Sequence, residues 1–261
     1  MLPALWVSKT GLSAQDMNLT TISNNLANVS TTGFKRDRAE FQDLLYQVRR
    51  QPGGQATQDS ELPSGLQLGT GVRIAGTQKI FTAGSLQTTE QPLDMAINGR
   101  GFFQVLLPDG TVSYSRDGGF HMNADGQIVT ANGYALEPAI VVPPETQTFT
   151  VGEDGTVSVT TFGDPQPQII GNIQIADFIN PAGLQAIGGN LFLETAASGA
   201  PQVSNPGLNG LGTVLQNTLE NSNVSVVEEL VNMITTQRAY EMNSKVISTA
   251  DQMLAFVTQQ L

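Results

Sequence analysis

Glycine and proline are spread so unevenly that they divide the chain before any other feature is read. Of the 27 glycines, Gly11 alone precedes Gly33 and none follows Gly212. Of the 13 prolines, only Pro3 lies outside the stretch from Pro52 to Pro206. Both residues are costly inside helices and favoured in turns. Two helix-permissive ends therefore flank a long turn-rich middle, and the fold class that follows is α+β.

The first end reads as helix from about Pro3 to Val29, with proline tolerated in a first turn because its missing N–H has no partner there. Leu5, Leu12, Leu19 and Leu26 recur every seven residues. Ile22 and Val29 add the complementary spacing, and Ser8 and Gln15 interrupt it. The run Ser30-Thr31-Thr32-Gly33 reads as the stop, with Gly33 as a left-handed cap. At the other end Val226, Met233, Tyr240, Ile247, Leu254 and Leu261 form an unbroken seven-residue series. Leu230 joins it, and Ile234, Val246, Met253 and Val257 widen it. Asn221, Ser222 and Asn223 are candidate caps, and Glu228 and Glu229 suit the positive end of the helix dipole.

A seven-residue apolar repeat is a seam that faces another helix. The two ends therefore pair with each other on a globular body, or pair and also contact other subunits. The turn-rich middle must supply its own core, which favours the second arrangement. Isolated helices are marginal in water, so each end is expected to order fully only when a partner covers it.

The middle reads as β. Strand-like runs are Gly101–Leu107, Thr111–Ser115, Gly126–Ala131 and Thr156–Thr161. Turn pairs stand between them at Asp109-Gly110, Asp117-Gly118, Asp125-Gly126, Asn132-Gly133 and Asp154-Gly155, and these supply the positive φ that tight hairpins need. Such spacing predicts an antiparallel β-domain. Gln47–Gly71 is polar, rich in Gly and Pro, and reads by composition as an extended arm or loop, with a disordered linker as the alternative. The expected division is a terminal helical domain of residues 1–34 and 213–261, coiled-coil-like; a connecting segment of 35–82 holding the arm at 47–71; and a mainly β outer domain of 83–212.

Composition excludes several functions. Net charge is −11, from 12 basic and 23 acidic residues, so neither nucleic acid nor an anionic membrane is an expected partner. Lys35, Arg36 and Arg38, and again Arg49 and Arg50, read as solvated or subunit-contact faces. There is no cysteine, hence no disulfide and no thiolate ligand. The N-terminus lacks a basic stretch followed by an apolar core of ~7–15 residues, so it does not read as a secretory signal. No window approaches the roughly 18 apolar residues of a membrane span.

Chemistry is sparse. His121 is the only histidine, so a Ser-His-Asp arrangement would rest on one residue that reads as part of a hairpin. Zinc would need several further ligands. Asn123, Asp125 and Gly126 suggest part of a calcium loop, but the register places His121 first and Asn132 last, which no calcium loop tolerates. Gly207–Gly212 has the wrong spacing for a phosphate-binding glycine motif. No cofactor and no catalytic residue is expected. A glycan-binding β protein would need aromatic platforms, and the chain has four Tyr and one Trp, Trp6 lying in the helical end.

The segment SNNLANVSTTGFKRDRAEFQDLL (Ser23–Leu45) resembles the N-terminal signature of bacterial flagellar rod and hook proteins. LENSNVSVVEELVNMITTQRAYEMNSKVIST (Leu219–Thr249) resembles their C-terminal signature. INGRGFFQV (Ile97–Val105) with YSRDGGF (Tyr114–Phe120) resembles the family's β-domain. Within the family, LPSGLQLGTGVR (Leu62–Arg73) and SGAPQVSNPGLNGLG (Ser198–Gly212) resemble its distal-rod branch; a proximal rod or hook subunit is the alternative.

The resemblance implies a self-assembling helical homopolymer, a shaft joining proximal rod proteins to the hook protein. It implies the P and L ring proteins and a rod cap protein as further partners. It also implies type III export without a cleaved signal to the basal body, in the periplasm and across the outer membrane. The arm would stiffen the shaft, with Leu66 and Leu68 as contacts. Assembly residues implied are Leu5, Leu12, Leu19 and Leu26 on the first helix, then Asn24, Asn25, Asn28, Gly33 and Phe34 in the N-terminal motif. On the second helix they are Val226, Leu230, Met233, Arg238, Tyr240, Ile247 and Leu254.

Overall fold

Ser225 sets where the longer helix begins. Its Oγ accepts the backbone N–H of Glu228 (3.5 Å) and its carbonyl accepts that of Glu229 (3.0 Å). Ser-Val-Val-Glu is thus a capping sequence, with two carboxylates in the first turn. The caps expected at Asn221, Ser222 or Asn223 are corrected to Ser225, because those three residues are engaged elsewhere. The chain is described by a computed structural model that covers residues 2–53, 55–57, 60–61, 63–162 and 164–259. Helix α1 runs Leu2–Ala27 and helix α2 runs Val226–Gln259; Leu261 of the predicted apolar series lies outside the described residues.

The fold is α+β, with a helix at each end and a β-rich middle. It divides into two compact units. A terminal unit comprises Met1–Leu26, Asp37–Gln78 and Ser225–Leu261, and a body comprises Ala27–Arg36 and Lys79–Val224.

In the terminal unit α1 and α2 pair with each other. Strand Asp37–Asp43 pairs with Val72–Lys79. Between these strands lies a ribbon: Tyr46–Arg50 runs antiparallel to Leu66–Gly69, with a register shift between Val48 and Arg50. A shorter pair, Gln55–Thr57 with Ser60–Glu61, follows. The segment read as an extended arm or loop therefore carries strand pairing. The alternations Tyr46-Gln47-Val48-Arg49 and Leu66-Gln67-Leu68 are present but short, and the Gly- and Pro-rich composition around them outweighed them. Gly65 is required at the ribbon, since a Cβ there would lie 2.5 Å from the Arg50 carbonyl oxygen.

In the body, the predicted runs are strands Phe102–Leu106, Val112–Ser115, Ile128–Thr130 and Thr156–Thr161. Successive hairpins turn at Gly110, Gly126, Gly133 and Gly155, all with positive φ. Gly118 is different. Its φ is not positive, and a Cβ would sit 1.5 Å from the Met95 carbonyl oxygen, so the position needs glycine for close approach rather than for a turn.

Phe102 and Phe103 show how the core is divided. Adjacent strand residues point to opposite faces, and both rings are buried. Phe103 joins Met95, Ile97, Phe120, Val157 and Ile175. Phe102 joins Tyr114, Phe178 and Phe192, with edge-to-face ring contacts. Strand Phe102–Leu106 is the central member of a nine-stranded sheet, which pairs with 112–115, 135–137 and 175–177. Strands 146–151, 156–161 and 164–172 form a second sheet.

Phe103→Ala is expected to destabilise the body by about 3–5 kcal/mol in urea unfolding. Leu45→Ala, at a residue 90% exposed, is expected to change stability by less than about 0.5 kcal/mol.

Candidate assembly surfaces

The body holds one carboxylate between two cations. Glu220 lies in strand Thr218–Glu220, which pairs with Leu86–Thr88. Its Oε1 accepts Lys35 Nζ at 2.6 Å and the Gly84 N–H at 2.8 Å. Lys35 Nζ also donates to the Thr82 carbonyl at 2.8 Å. Arg116 Nη1 is 3.5 Å from Glu220 Oε2, an ion pair rather than a hydrogen bond, and the same guanidinium donates to the carbonyls of Ile97 and Gly99. Lys35 and Glu220 are 1% exposed and Arg116 is 4% exposed.

Burial pulls the Lys35 ammonium below its ordinary pKa and Glu220 opposes that. Burial lowers Arg116 in the same way, opposed by Glu220 and then Asp177. One anion thus offsets the desolvation of two cations. Lys35 is not the solvated or subunit-contact residue that its place in a basic cluster suggested. Arg36 is half-buried and Arg38 exposed.

The same clasp explains several motif residues. Gly33 has φ +66° and donates its N–H to the Glu220 carbonyl at 2.7 Å. A Cβ there would lie 2.6 Å from the Asp117 nitrogen, so a side chain is excluded by both conformation and space. It does not cap α1, which ends six residues earlier at Ala27; the reading of Gly33 as a helix cap is corrected to a close-approach glycine. Phe34 accepts the Asn223 N–H on its carbonyl and carries Lys79 Nζ 5.2 Å from its ring centre. Asn223 accepts the Arg36 N–H on its side chain and donates to the Ile80 carbonyl, both at 2.8 Å. Asn28 accepts the Thr31 N–H and hydroxyl.

In the terminal unit the predicted apolar residues divide. Leu5, Leu12, Leu19, Leu26, Met233, Ile247 and Leu254 are half-buried, whereas Val226, Leu230 and Tyr240 are exposed. Buried positions on α1 are Ser8, Ala14, Thr21, Ile22 and Asn25, and on α2 they are Glu229, Thr236 and Ala250. Ser8 therefore belongs to the buried face that it seemed to interrupt.

Asn25 donates to Glu229 Oε1 (3.3 Å) and Asn18 donates to Thr236 Oγ1 (3.0 Å). A Cβ on Gly11 would lie 3.1 Å from the Asn243 amide nitrogen. Each step of seven along α1 thus meets a step of seven back along α2. Sequence reasoning missed these residues because it followed apolar periodicity alone. The signal was present in the recurrence of Gly11, Asn18 and Asn25 against Glu229, Thr236 and Asn243.

Large apolar side chains instead face solvent. On α2 they include Val227, Val231, Ile234, Met242, Met253 and Phe256, and on α1 Trp6 and Met17. Arg238 is exposed and forms a surface ion pair with Glu241 at 3.9 Å. Asn24 is exposed at the end of α1. Leu66 and Leu68 are exposed on the ribbon, as are Tyr46 and Val48 on its partner strand. Exposed apolar side chains in this number on one unit suit an interaction surface. Among the described residues no three His, Cys, Asp or Glu side chains gather as a metal would require, and no helix is long and apolar enough to cross a membrane. His121 lies exposed in strand Phe120–Met122.

Three family models match the chain: a flagella basal body rod protein model over residues 5–35, a flagellar hook protein FlgE/F/G D1 domain over 96–159, and a flagellar basal body rod FlgEFG C-terminal model over 215–260. Among individual relatives, the flagellar basal-body rod protein FlgG of Buchnera aphidicola subsp. Schizaphis graminum is 56% identical over 259 residues, which cover 99% of this chain and all of the relative. The protein of that name from Caulobacter vibrioides is 50% identical over 99% of both chains. That from Bacillus subtilis is 36% identical over 97% of both.

Glu220→Ala removes the carboxylate that pairs with both Lys35 and Arg116 and is expected to destabilise the body by about 3–5 kcal/mol. Lys35→Met leaves Glu220 paired with Arg116, so its loss in the same denaturant titration is expected to be smaller.

Proposed function

This chain belongs to the flagellar basal-body rod protein family, and from that premise we propose that it is a structural subunit of the distal rod. It self-assembles helically into a rigid shaft that transmits torque from the proximal rod to the hook. Its place is the flagellar basal body, and its role is structural rather than catalytic. The observation that carries this reading is likeness to rod proteins over essentially the whole chain, at 50–56% identity for several relatives.

The exposed apolar face of the terminal helices supports the same reading. Covering one Val, Leu, Ile or Met side chain contributes roughly 1.5–3 kcal/mol, so a few such residues per interface suffice to drive assembly. Head-to-tail contacts between copies give an open filament rather than a closed ring. The terminal domain, residues 1–34 with 213–261, packs in coiled-coil-like fashion in the shaft, with the leucine series of α1 and the series from Val226 to Leu254 on α2 among its contacts.

Asn24, Asn25, Asn28, Gly33 and Phe34 then act by holding the helix roots, and Arg238 acts on the outside of α2. The segment 35–82 connects, the ribbon at 47–71 is an extended arm whose Leu66 and Leu68 meet neighbouring copies, and residues 83–212 form the outer domain. Partners are other copies, proximal rod proteins, the hook protein, the P and L ring proteins and the rod cap protein. The subunit reaches the periplasm and outer membrane through the flagellar type III channel.

The combined substitution Val231→Glu and Met242→Glu, on the solvent side of α2, tests this. It is expected to leave the stability of the body within about 0.5 kcal/mol while abolishing polymers in electron micrographs and motility in cells. Normal rods from that variant would reject the surface. Deleting Gln51–Gly69 is expected to give a polymer of shorter persistence length; an equally stiff polymer would reject the arm's role.

A further inference from the structure

The apolar series of the two terminal helices share one seven-residue period, and that leaves a physical problem. Sliding α2 past α1 by seven residues restores the spacing of the half-buried apolar series on both helices. Apolar contacts therefore cannot choose between registers a heptad apart. Some other feature must choose.

The polar rungs differ from one another, and each fits one partner. The Asn25 side chain accepts the Asp37 N–H on Oδ1 and donates to the Asp37 carbonyl from Nδ2, both at 2.9 Å. Its remaining N–H is directed to Glu229, a buried carboxylate, so both donors and the acceptor are used. Thr236 spends its hydroxyl proton on the Asn232 carbonyl at 2.7 Å, which fixes its oxygen as the acceptor for Asn18. Gly11 leaves room for the Asn243 amide where any Cβ would press on it.

A slip of seven in one direction sets Asn25 against Thr236, Asn18 against Asn243 and Gly11 against Ala250. Glu229 then runs past the end of α1 and loses its amide. The opposite slip sets Asn18 against Glu229 and carries Asn25 past the start of α2. A buried polar group that gives up one of its hydrogen bonds loses more than the mean worth of such a bond, so both slips are disfavoured at the Glu229 rung or the Asn25 rung.

We propose that Asn25–Glu229, Asn18–Thr236 and Gly11–Asn243 are the register key of the terminal helices, specifying their antiparallel pairing within one chain at some expense of stability. Buried polar residues in helix seams are best attested in this role. The inference concerns pairing inside a single chain and stands apart from the rod reading, whose test reads polymers and motility.

The chain has no cysteine, so engineered pairs report without background. Three full-length reporters carry Gly11→Cys with Asn243→Cys for the observed register, or with Ala250→Cys or Thr236→Cys for the two slips. Intramolecular disulfide yield under mild oxidation is expected to favour the 11–243 pair by about tenfold or more, the ratio that one charged hydrogen bond supplies. In the Asn18→Leu and Asn25→Leu background the three yields are expected to converge to within about threefold, the preference of one charged hydrogen bond being gone, while circular dichroism keeps its helical signal.

Persistence of the 11–243 preference in that background would overturn the proposal. So would loss of helix in the leucine variant, which would make the rungs a source of stability rather than register. Equal yields, or no disulfide, in the chain with its asparagines intact would overturn it as well.

Discussion

The buried contact of Lys35 and Arg116 with Glu220 is the interaction on which the architecture depends. It joins two segments of the body separated by most of the sequence. Ala27–Arg36 follows directly from α1, and Thr218–Val224 leads directly into α2. Gly33, Phe34, Arg36 and Asn223 add backbone and amide hydrogen bonds to the same clasp. Three charges with one anion among them are a costly arrangement to bury.

The body and the terminal unit solve different problems. The body is closed: its two apolar clusters share the strand Phe102–Leu106, and its hairpins satisfy their own backbone groups. In the terminal unit polar pairs such as Asn25 with Glu229 and Asn18 with Thr236 join α1 to α2 beside buried Ile22 and the half-buried leucines of α1. Large apolar side chains such as Val227, Val231, Met242 and Phe256 face solvent.

Much of this is legible in the sequence, and the failures share a cause. The Gly and Pro distribution separates helices from the β-rich middle, and the Asp-Gly and Asn-Gly pairs locate hairpins at Gly110, Gly126, Gly133 and Gly155. Residues whose roles depend on distant partners were misread from local pattern. Lys35 looked like part of a basic cluster, yet its partner Glu220 is 185 positions away. Gly33 looked like a helix cap, yet its conformation serves Glu220 and its lack of a side chain admits Asp117. Asn18, Asn25, Glu229 and Thr236 sit at seven-residue spacing but were passed over because the search for a seam counted only apolar residues. The ribbon Tyr46–Arg50 with Leu66–Gly69 does alternate, as Tyr46, Val48, Leu66 and Leu68 show, but the alternation is short and the Gly and Pro around it read as loop.

The central claim is that the solvent-facing apolar side of α2 is the surface that assembly covers. Hydroxyl-radical footprinting of Met242 and Met253, which are 64% and 54% exposed in the single chain, tests it most directly. Labelling of both methionines should fall by about tenfold between the free subunit and the assembled rod, as expected for side chains desolvated at the core of an interface. Equal labelling of both methionines in the two states would contradict the account.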